Sequence, residues 1–342
     1  MDRGVAACQP PENAAGPSIE AIEALLARPL LDLVYDAATV HRRHHAPDAM
    51  QCSQLLSIKT GGCSEDCGYC SQSARFRTPV EREALLDVDT VVANARQARA
   101  NGADRFCMGA AWREVKDGPE FDRVLRMVEE VKALGLETCV TLGMMNGAQA
   151  RRLREAGLDY YNHNLDTGAS HYEQVITTHS LADRLITLEH VRAAGIHVCS
   201  GGILGMGESP RARAELLHQL ASLSPQPESV PINALVPVAG TKLEHAAPLD
   251  WTVVVRMVAA ARIMIPRAVI RLSAGRTGMT EEGQALCFLA GANSLFIGDE
   301  LLTTPNPSPS GDAALLGKLG LRAVAGAPSG DREACGSGRC AG

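Results

Sequence analysis

Three cysteines lie close together in the segment GGCSEDCGYC, which begins at Gly61. Cys63, Cys67 and Cys70 have the spacing C-x3-C-x2-C in a polar, glycine-bearing loop, and such a loop can wrap an iron–sulfur cluster. Three thiolates leave one iron of a [4Fe–4S] cube without a protein ligand, so that iron can bind a substrate. A closed zinc site needs four Cys or His ligands, and no close fourth partner follows Cys70. The spacing therefore predicts an open [4Fe–4S] cluster.

Three further cysteines, Cys107, Cys139 and Cys199, each lie inside a different strand-like run. Each follows a glycine by four or five residues, so the three runs start from similar turns. A single buried cysteine is usually a small apolar core residue. Three of them, on the second, third and fifth predicted strands, can instead meet inside a barrel. We therefore interpret them as ligands of a second metal centre.

These cysteines must be positioned by a strand–helix repeat that starts near residue 52. Short β-branched or apolar runs alternate with amphipathic stretches of helical length. Eight strand-like runs begin at Cys52, Arg105, Leu136, Leu158, Ile196, Ser229, Ala268 and Asn293. An open doubly wound sheet gives the same alternation, but the count of eight favours an α/β fold of the TIM type, a (β/α)8 barrel. The loop cysteines follow the first strand, at the end of a barrel where active sites lie.

The barrel is predicted to span residues 46–304, after an N-terminal helical extension over residues 1–45. Residues 18–45 have the apolar spacing of an amphipathic helix. From Pro305 the sequence is rich in Pro, Gly and Ser around one short helical stretch, so residues 305–342 are expected to form a loose, largely flexible C-terminal segment. Deletion after Pro309 is accordingly expected to leave the clusters and the activity nearly unchanged.

Composition and charge indicate which kinds of partner and which cellular compartment to expect. The chain has 342 residues, a formal net charge of -6 and no dense run of Lys or Arg, which argues against a nucleic-acid partner. Its N-terminus has no signal or transit pattern, and no apolar run approaches the roughly 20 residues of a membrane helix. A cytoplasmic protein without a membrane partner is expected. Because the cytoplasm is reducing, organised cysteines are expected to be ligands and not disulfides.

The cysteine loop that follows the first strand is similar to that of the radical S-adenosylmethionine superfamily. Further segments resemble the biotin synthase family from about Leu55 to Pro307. They are SIKTGGCSEDCGYCSQSARF, RFCMGAAW, GLDYYNHNLDT, VCSGGILGMGE, ESVPIN, RLSAGR, CFLAGANS and LLTTPNP. In the superfamily S-adenosylmethionine chelates the open iron, and its reductive cleavage gives a 5′-deoxyadenosyl radical. The cofactor carries this chemistry while the protein orients it.

The resemblance implies two sets of cluster ligands. Cys63, Cys67 and Cys70 would hold the [4Fe–4S] cluster, while Cys107, Cys139, Cys199 and Arg271 would hold a [2Fe–2S] cluster. Arginine is an unusual ligand because its guanidinium is normally protonated and has no acceptor. From the residues alone, Arg271 would be a salt-bridge partner or an anion clamp.

The resemblance also implies contacts with small molecules. Tyr69 and the segment 201–208, including Gly205, would meet the adenosine of S-adenosylmethionine, and Asn164 and Asp166 its ribose. Asn162 and Asn233 would face the ureido ring of dethiobiotin, for which an amide supplies both a donor and an acceptor. From the residues alone, Asn162 and Asn164 could instead cap strand ends, and Asp166 could be a helix N-cap.

The implied activity is that of a sulfurtransferase enzyme, which converts dethiobiotin to biotin by radical insertion of sulfur between two saturated carbons. Saturated C–H bonds are too weakly acidic for a carboxylate or His base, so no acid–base residue is expected to be catalytic. Sulfide would come from the [2Fe–2S] cluster. A low-potential electron donor such as a flavodoxin or ferredoxin, an iron–sulfur cluster assembly system and a homodimeric partner are also implied.

Two alternatives remain at this point. Another radical S-adenosylmethionine barrel, lipoyl synthase-like or hydrogenase-maturation-like, would share the loop cysteines. Lipoyl synthases are expected to carry auxiliary cysteines in an N-terminal motif, where this chain has only Cys8 and Cys52. A non-catalytic iron–sulfur or zinc scaffold would have closed four-ligand sites. Within the resemblance, Asp299 and Glu300 stand where a lysine is expected, and Cys335 and Cys340 have no counterpart.

Overall fold

The computed structural model describes residues 16–324. The strands are β1 Ala49–Lys59, β2 Arg105–Ala110, β3 Glu137–Thr141, β4 Tyr160–Asn162, β5 His197–Cys199, β6 Gly202–Leu204, β7 Ser229–Ala234, β8 Val269–Leu272, β9 Ser294–Phe296, β10 Glu300–Leu301, β11 Thr304–Pro305 and β12 Arg322–Ala323. The helices are α1 Ile19–Ala27, α2 Leu30–His44, α3 Val88–Ala100, α4 Pro119–Ala133, α5 Gly147–Glu155, α6 Ala169–Val175, α7 Leu181–Ala193, α8 Pro210–Ser222, α9 Trp251–Met264, α10 Glu281–Leu289 and α11 Pro309–Leu319, with one 3-10 turn at Arg276–Gly278.

Parallel strands close into a barrel in the order β1-β2-β3-β4-β5-β7-β8-β9, and β9 pairs with β1. The predicted (β/α)8 barrel is therefore confirmed. The fifth predicted strand is in fact two short strands, β5 and β6, which both pair with β7. The break falls at Gly201, where a Cβ atom would lie 1.9 Å from the carbonyl oxygen of Pro231. Only glycine lets the two backbones approach so closely.

Helix starts are fixed by short polar side chains that accept hydrogen bonds from the first turn. Such N-caps are Ser18, Asp87, Asn146, Ser180, Ser209, Asp250, Thr280 and Ser308. The helices surround the barrel, and a large apolar core fills the space between them and the strands. Within β2, Phe106 and Met108 join this outer core, whereas Cys107 belongs to a separate cluster inside the barrel. Strand alternation explains the difference.

The C-terminal segment differs from the loose structure expected after Pro305. Helix α11 occupies residues 309–319, and β12 pairs in parallel with the start of β1. Leu315 and Leu316 are buried in the outer core. Ser308 caps this helix, and Gly320 ends it with a φ of 66°. Ser and Gly are typical of loops, but here they mark the two ends of a helix. Cys8, Cys335 and Cys340 lie outside the described residues.

Within residues 16–324, no helix combines the length and the apolar character that a bilayer crossing requires.

Candidate active site

One pocket opens at the C-terminal ends of the barrel strands and contains most of the predicted site residues. Its lining includes Cys63, Cys67, Tyr69, Cys70, Cys107, Cys139, Asn162, Asn164, Asp166, Asn233 and Arg271. Cys199 is fully buried behind this lining, and its Sγ lies 3.4 Å from Nδ2 of Asn162. Gly205 is outside the lining, in a turn whose backbone N–H donates to the buried carboxylate of Glu208 at 3.0 Å. Five of the six cysteines thus line one cavity, and Cys199 is buried next to it.

The cysteine loop begins with two glycines whose backbones are left-handed. Gly61 and Gly62 have φ values of 70° and 76°, which other residues rarely adopt. The N–H of Cys63 donates to the carbonyl of Gln72 at 3.0 Å, which brings the two ends of the loop together. Burial raises the pKa of the Cys70 thiol to about 11 and that of Cys67 further. These thiols need a bound cation to become thiolates, as a metal cluster supplies.

The two acids of the loop attach it to the segment that precedes α7. Oε2 of Glu65 lies 2.7 Å from Nδ1 of His179, and Oε1 lies 3.3 Å from Nε of Arg113. Asp66 accepts hydrogen bonds from the N–H groups of Thr177 at 2.9 Å and Thr178 at 3.2 Å. Partial burial alone would raise the pKa of Asp66, but these bonds outweigh it and lower the pKa to about 2. The loop is therefore fixed along its length.

Asp166 is the centre of a buried hydrogen-bonded group beside the loop. It accepts from the hydroxyl of Tyr69 at 2.7 Å and pairs with Nη2 of Arg184 at 2.6 Å. Arg184 also donates to the hydroxyl of Tyr172 at 2.6 Å and to the carbonyl of Asn164 at 2.7 Å. Arg184 was not among the predicted site residues, because its helix α7 shows only ordinary amphipathic spacing. The group provides a carboxylate, a phenol and a guanidinium at one wall of the pocket.

The alternative role of Asp166 as a helix N-cap is wrong, because Gly168 occupies that position before α6. Asp166 instead has a φ of 64°, and its carbonyl accepts from the N–H of Ile203 at 2.8 Å. Asn164 accepts from the N–H of Gly201 at 3.2 Å, so it ties the end of β4 to the break between β5 and β6.

Asn162 and Asn233 both line the barrel mouth, at the ends of β4 and β7. Asn162 accepts from the hydroxyl of Thr141 at 3.1 Å. Asn233 donates to the carbonyl of Gly202 at 3.0 Å and accepts from the N–H of Ala274 at 3.2 Å. Both amides are thus oriented by neighbouring strands while remaining part of the pocket lining.

The three strand cysteines meet inside the barrel. Cys107 and Cys139 are direct partners in the β2–β3 register, and Asn162 is paired with Cys199 in the β4–β5 register. Cys139 forms side-chain hydrogen bonds with the other two thiols, which lower the pKa of Cys199 to about 5 and also lower the pKa of Cys107. Nearby Arg271 lowers both values further. The same hydrogen bonds raise the pKa of Cys139, so the thiolate form is favoured at Cys107 and Cys199 only.

Arg271 is 1% exposed and lines the floor of the same pocket. It donates to the hydroxyls of Ser53 at 2.9 Å and Ser294 at 3.0 Å, and it lies 4.5 Å from the ring centroid of Phe296. Among the described residues, no carboxylate lies within ion-pairing distance of Arg271. It also donates to Oε1 of Gln51 at 3.4 Å, so its hydrogen-bond partners are neutral and its positive charge lies next to the thiols.

A second buried arginine lies one strand layer below the cysteines and was also missed. Arg105 precedes Cys107 by two residues and donates through Nε to Glu137, which precedes Cys139 by two, at 3.0 Å. Its guanidinium stacks 3.5 Å from the ring centroid of Tyr160. Arg105 and Glu137 could have been predicted to lie near the cysteines from this two-residue spacing, because alternate residues of a strand share a face.

The two thiol triads fit iron–sulfur clusters in the chemistry of their donors. Within the described part of the chain, no three His, Cys, Asp or Glu side chains are gathered as a single metal ion requires. The loop triad instead presents three thiols at the mouth of the cavity. Cys107 and Cys139 line its floor, and Cys199 is buried in the same cluster behind them.

Comparisons with known proteins decide the family. A model of the radical S-adenosylmethionine superfamily matches residues 57–220, and a model of the Biotin and Thiamin Synthesis associated domain matches residues 231–322. The biotin synthase of Aromatoleum aromaticum is 63% identical over 90% of this chain and 93% of its own length. That of Haemophilus influenzae is 57% identical over 89% of this chain and 91% of its own. The chain belongs to the biotin synthase family.

Solved structures similar to this member of the biotin synthase family share its fold. Methylornithine synthase has a TM-score of 0.75 and 18% identity over 90% of this chain and 94% of its own. The [FeFe]-hydrogenase maturase HydG of Carboxydothermus hydrogenoformans has a TM-score of 0.74 and 16% identity over 90% of this chain and 76% of its own. At these identities the likeness shows the barrel and nothing about substrate.

Membership of the biotin synthase family makes the chain a radical S-adenosylmethionine enzyme with an iron–sulfur cluster. The lipoyl synthase-like and hydrogenase-maturation-like alternatives are not favoured, and neither is a non-catalytic scaffold. The departure at Asp299 and Glu300 lies at the start of the β10–β11 hairpin, where Glu300 is exposed.

Proposed function

We propose that this biotin synthase family member converts dethiobiotin to biotin, inserting one sulfur atom between two saturated carbons. The observation that carries the proposal is the placement of two thiol triads on one pocket. A radical formed at the mouth and a sulfur source at the floor would both reach a substrate held between them. The identity of 57–63% to biotin synthases supports the same substrate.

We assign the mouth triad to the [4Fe–4S] cluster. Cys63, Cys67 and Cys70 would hold it, and the cluster with bound S-adenosylmethionine would supply a 5′-deoxyadenosyl radical. Tyr69, Asn164, Asp166 and Gly205 are proposed to contact S-adenosylmethionine. Asp166 suits ribose hydroxyls because a carboxylate accepts from both, and its bonds to Tyr69 and Arg184 fix its direction. Their role is to orient the cofactor.

We assign the floor triad to a [2Fe–2S] cluster that would be the source of sulfur. Cys107, Cys139 and Cys199 would hold it together with Arg271. The lowered pKa values of Cys107 and Cys199 support thiolate ligation there. The positive charge of Arg271 would stabilise anionic sulfur there, since it lowers the pKa of both Cys107 and Cys199.

Asn162 and Asn233 are proposed to bind the ureido ring of dethiobiotin. Each carries an amide NH2 group that donates and a carbonyl oxygen that accepts, as a cyclic urea requires. Leu55, Ile203, Val236 and Leu301 add apolar lining, which excludes water from the reacting carbons. No acid or base is needed at those carbons, and the chain supplies positioning and a dry cavity.

The remaining partners follow from the proposed reaction. A low-potential donor such as a flavodoxin or ferredoxin would supply electrons, and a cluster assembly system would rebuild the consumed cluster. A cytoplasmic location is supported by the free thiols of all eight described cysteines. A homodimer is proposed from family resemblance.

The proposal is tested by anaerobic reconstitution followed by turnover with dithionite, S-adenosylmethionine and dethiobiotin. We expect iron and sulfide counts that match two clusters, and we expect both deoxyadenosine and biotin by mass spectrometry. An octanoyl-peptide substrate serves as the matched control for lipoyl chemistry and should remain unchanged. If deoxyadenosine formed without biotin, the protein would be a radical enzyme that acts on another substrate.

A further inference from the structure

The cysteine loop is surrounded by cations that no carboxylate neutralises. We call Lys59, Arg75, Arg77, Arg82 and Lys242 the basic collar. Four of them are exposed and Lys59 is half-buried. Within residues 16–324, no Asp or Glu oxygen lies within salt-bridge distance of any of the five. The charge of the collar is opposite in sign to that of the whole protein, which has a net charge of -6.

Two collar residues bond directly to the backbone of the cysteine loop. Nζ of Lys59 donates to the carbonyl of Gly61 at 3.1 Å, and Nε of Arg75 donates to the carbonyl of Ser64 at 2.9 Å. Ser64 is exposed and follows Cys63. These two cations therefore lie beside the part of the loop that reaches solvent.

Two more collar residues pack against glycines of the loop. A Cβ atom on Gly62 would lie 3.1 Å from Nε of Arg82, and one on Gly68 would lie 3.3 Å from Cδ of Lys242. Long basic side chains can cover such a surface with their stems while their charges remain in water.

Arg77 completes the collar through a close backbone contact. At Gly240, which has a φ of 83°, a Cβ atom would lie 1.9 Å from the carbonyl oxygen of Arg77. This contact brings the segment of Arg77 next to the turn that carries Lys242. Cations from sequence positions 59–82 and 242 are thus gathered on one surface by the fold.

The acids near the loop do not cancel this charge. Glu65 is engaged by His179 and Arg113, and Asp66 is engaged by Thr177 and Thr178. Glu81 and Glu83 are exposed acids of the segment before β2, and exposed Glu244 accepts from the N–H of Gly240 at 2.7 Å, so the five cations of the collar outnumber these three acids.

We propose that the basic collar is the docking surface for an acidic, low-potential electron-carrier protein. The inference rests on the proposed function, since it assumes a cluster in the loop. One electron would leave the reduced flavin or iron–sulfur centre of the carrier, and the cluster held by the three loop cysteines would gain it. Complementary charge raises the rate of encounter and fixes orientation, and salt screens it over about 10 Å.

The test is a double charge reversal, Arg77→Glu with Lys242→Glu, because neither side chain hydrogen-bonds to the cysteine loop. A purified acidic flavodoxin is the probe. We measure its affinity for the holoenzyme at low and high salt, and the rate of deoxyadenosine formation against flavodoxin concentration. The Kd and the KM for flavodoxin should rise by about tenfold at low salt, and the salt dependence should largely vanish. The rate with dithionite, which needs no docking surface, should stay unchanged.

Arg99→Glu with Arg154→Glu is the matched control, since both arginines are exposed in last helical turns at the other end of the barrel. It changes the net charge equally and should leave flavodoxin binding intact. Equal flavodoxin binding by the collar variant and the wild type would overturn the proposal, and so would an equal loss in the control. A lower rate of deoxyadenosine formation with dithionite in the collar variant would overturn it as well, because the collar would then stabilise the cysteine loop. Biotin formation by the wild type with dithionite tests the proposed function separately.

Discussion

Arg276 and Asp312 form an ion pair in which the two side chains are only 1% and 3% exposed. Arg276 also donates to the carbonyl of Phe296 at 3.0 Å, and Asn306 donates to the same carbonyl at 3.0 Å. Phe296 precedes the β10–β11 hairpin, and it lines the pocket together with residues 301–304. Helix α11 is thereby connected to the wall of the active site.

We expect Asp312→Ala to destabilise the holoenzyme by about 3–5 kcal/mol, because it leaves a buried guanidinium without its carboxylate. The affinity for dethiobiotin should fall as well, since the hairpin loses its support. Anaerobic urea unfolding and substrate KM measure the two effects. The same argument reverses the expectation that deletion after Pro309 is harmless, because that deletion removes Asp312.

Lys318→Ala is the control on the same helix. Lys318 pairs with Glu281 at 2.7 Å, but both side chains are more than half exposed, so the loss should stay within about 1 kcal/mol. Similar destabilisation by the two variants would show that the buried pair has no special role.

Replacement of Cys63, Cys67 or Cys70 by Ala should remove the [4Fe–4S] spectrum and abolish deoxyadenosine formation. Two thiolates should not retain an open cube. Spin-resonance spectra and product analysis of anaerobically reconstituted variants check this. Cys287→Ala, at a buried cysteine remote from the pocket lining, is the control. Continued deoxyadenosine production by a loop variant would remove the basis for the cluster assignment.

Asp166→Asn should raise the KM for S-adenosylmethionine by about ten- to a hundredfold, because it removes the charge from a group that bonds to Tyr69 and Arg184. The iron content should not change. Tyr69→Phe keeps the ring and loses one hydrogen bond, so its effect should be smaller. Equilibrium binding of S-adenosylmethionine to the holoenzyme compares the two variants. A larger loss of affinity in Tyr69→Phe than in Asp166→Asn would contradict the role given to Asp166.

Acid should destabilise the protein partly through His41. Burial, with Arg262 nearby, lowers the pKa of His41 to about 4 from an unfolded value near 6.5. Between those values the unfolded chain binds a proton that the folded chain does not, so the free energy of unfolding falls as the pH falls, by up to about 3 kcal/mol. His41→Phe should remove the part of this pH dependence that comes from His41, measured by urea unfolding from pH 7 to pH 4, while the lowered pKa values of His45 and His163 keep the rest. His245→Ala is the control, because its side chain is 91% exposed and its loss should leave the pH dependence unchanged. If the free energy of unfolding of wild type and His41→Phe fell in parallel with pH, His41 would not contribute to it.

Site residues could be predicted from the sequence where their chemistry depends on local spacing. The loop triad is contiguous, and the strand cysteines are found because each lies in a recognisable βα unit. Arg184 and Asp312 could not be predicted, since their partners Asp166 and Arg276 are distant in sequence and only the fold brings them together. A short helical stretch was predicted after Pro305, but the packing of α11 was missed because Ser308 and Gly320 are typical of loops as well as of helix caps. The basic collar was missed for a similar reason, because Lys242 joins cations near residues 59–82 only in three dimensions.

The strand cysteines should separate the two functions of the pocket. Cys139→Ala is expected to lose the [2Fe–2S] spectrum and biotin formation while the loop cluster still assembles and some deoxyadenosine is formed. Replacement of Arg271 should be milder, because another donor or water can replace a weak ligand. Cluster spectra and both products are measured side by side, and biotin formation by Cys139→Ala at the wild-type level would exclude a sulfur-donating role.

The central claim is that sulfur moves from the floor of the pocket into dethiobiotin, and its most direct test is an isotope experiment on the wild-type holoenzyme. The floor cluster is rebuilt with isotopically heavy sulfide, excess sulfide is removed, and a single turnover is run anaerobically with unlabelled S-adenosylmethionine. The account predicts that the biotin carries the heavy isotope and that the [2Fe–2S] absorbance falls in step with its formation. Biotin with only natural sulfur, formed while that absorbance stays constant, would contradict the account.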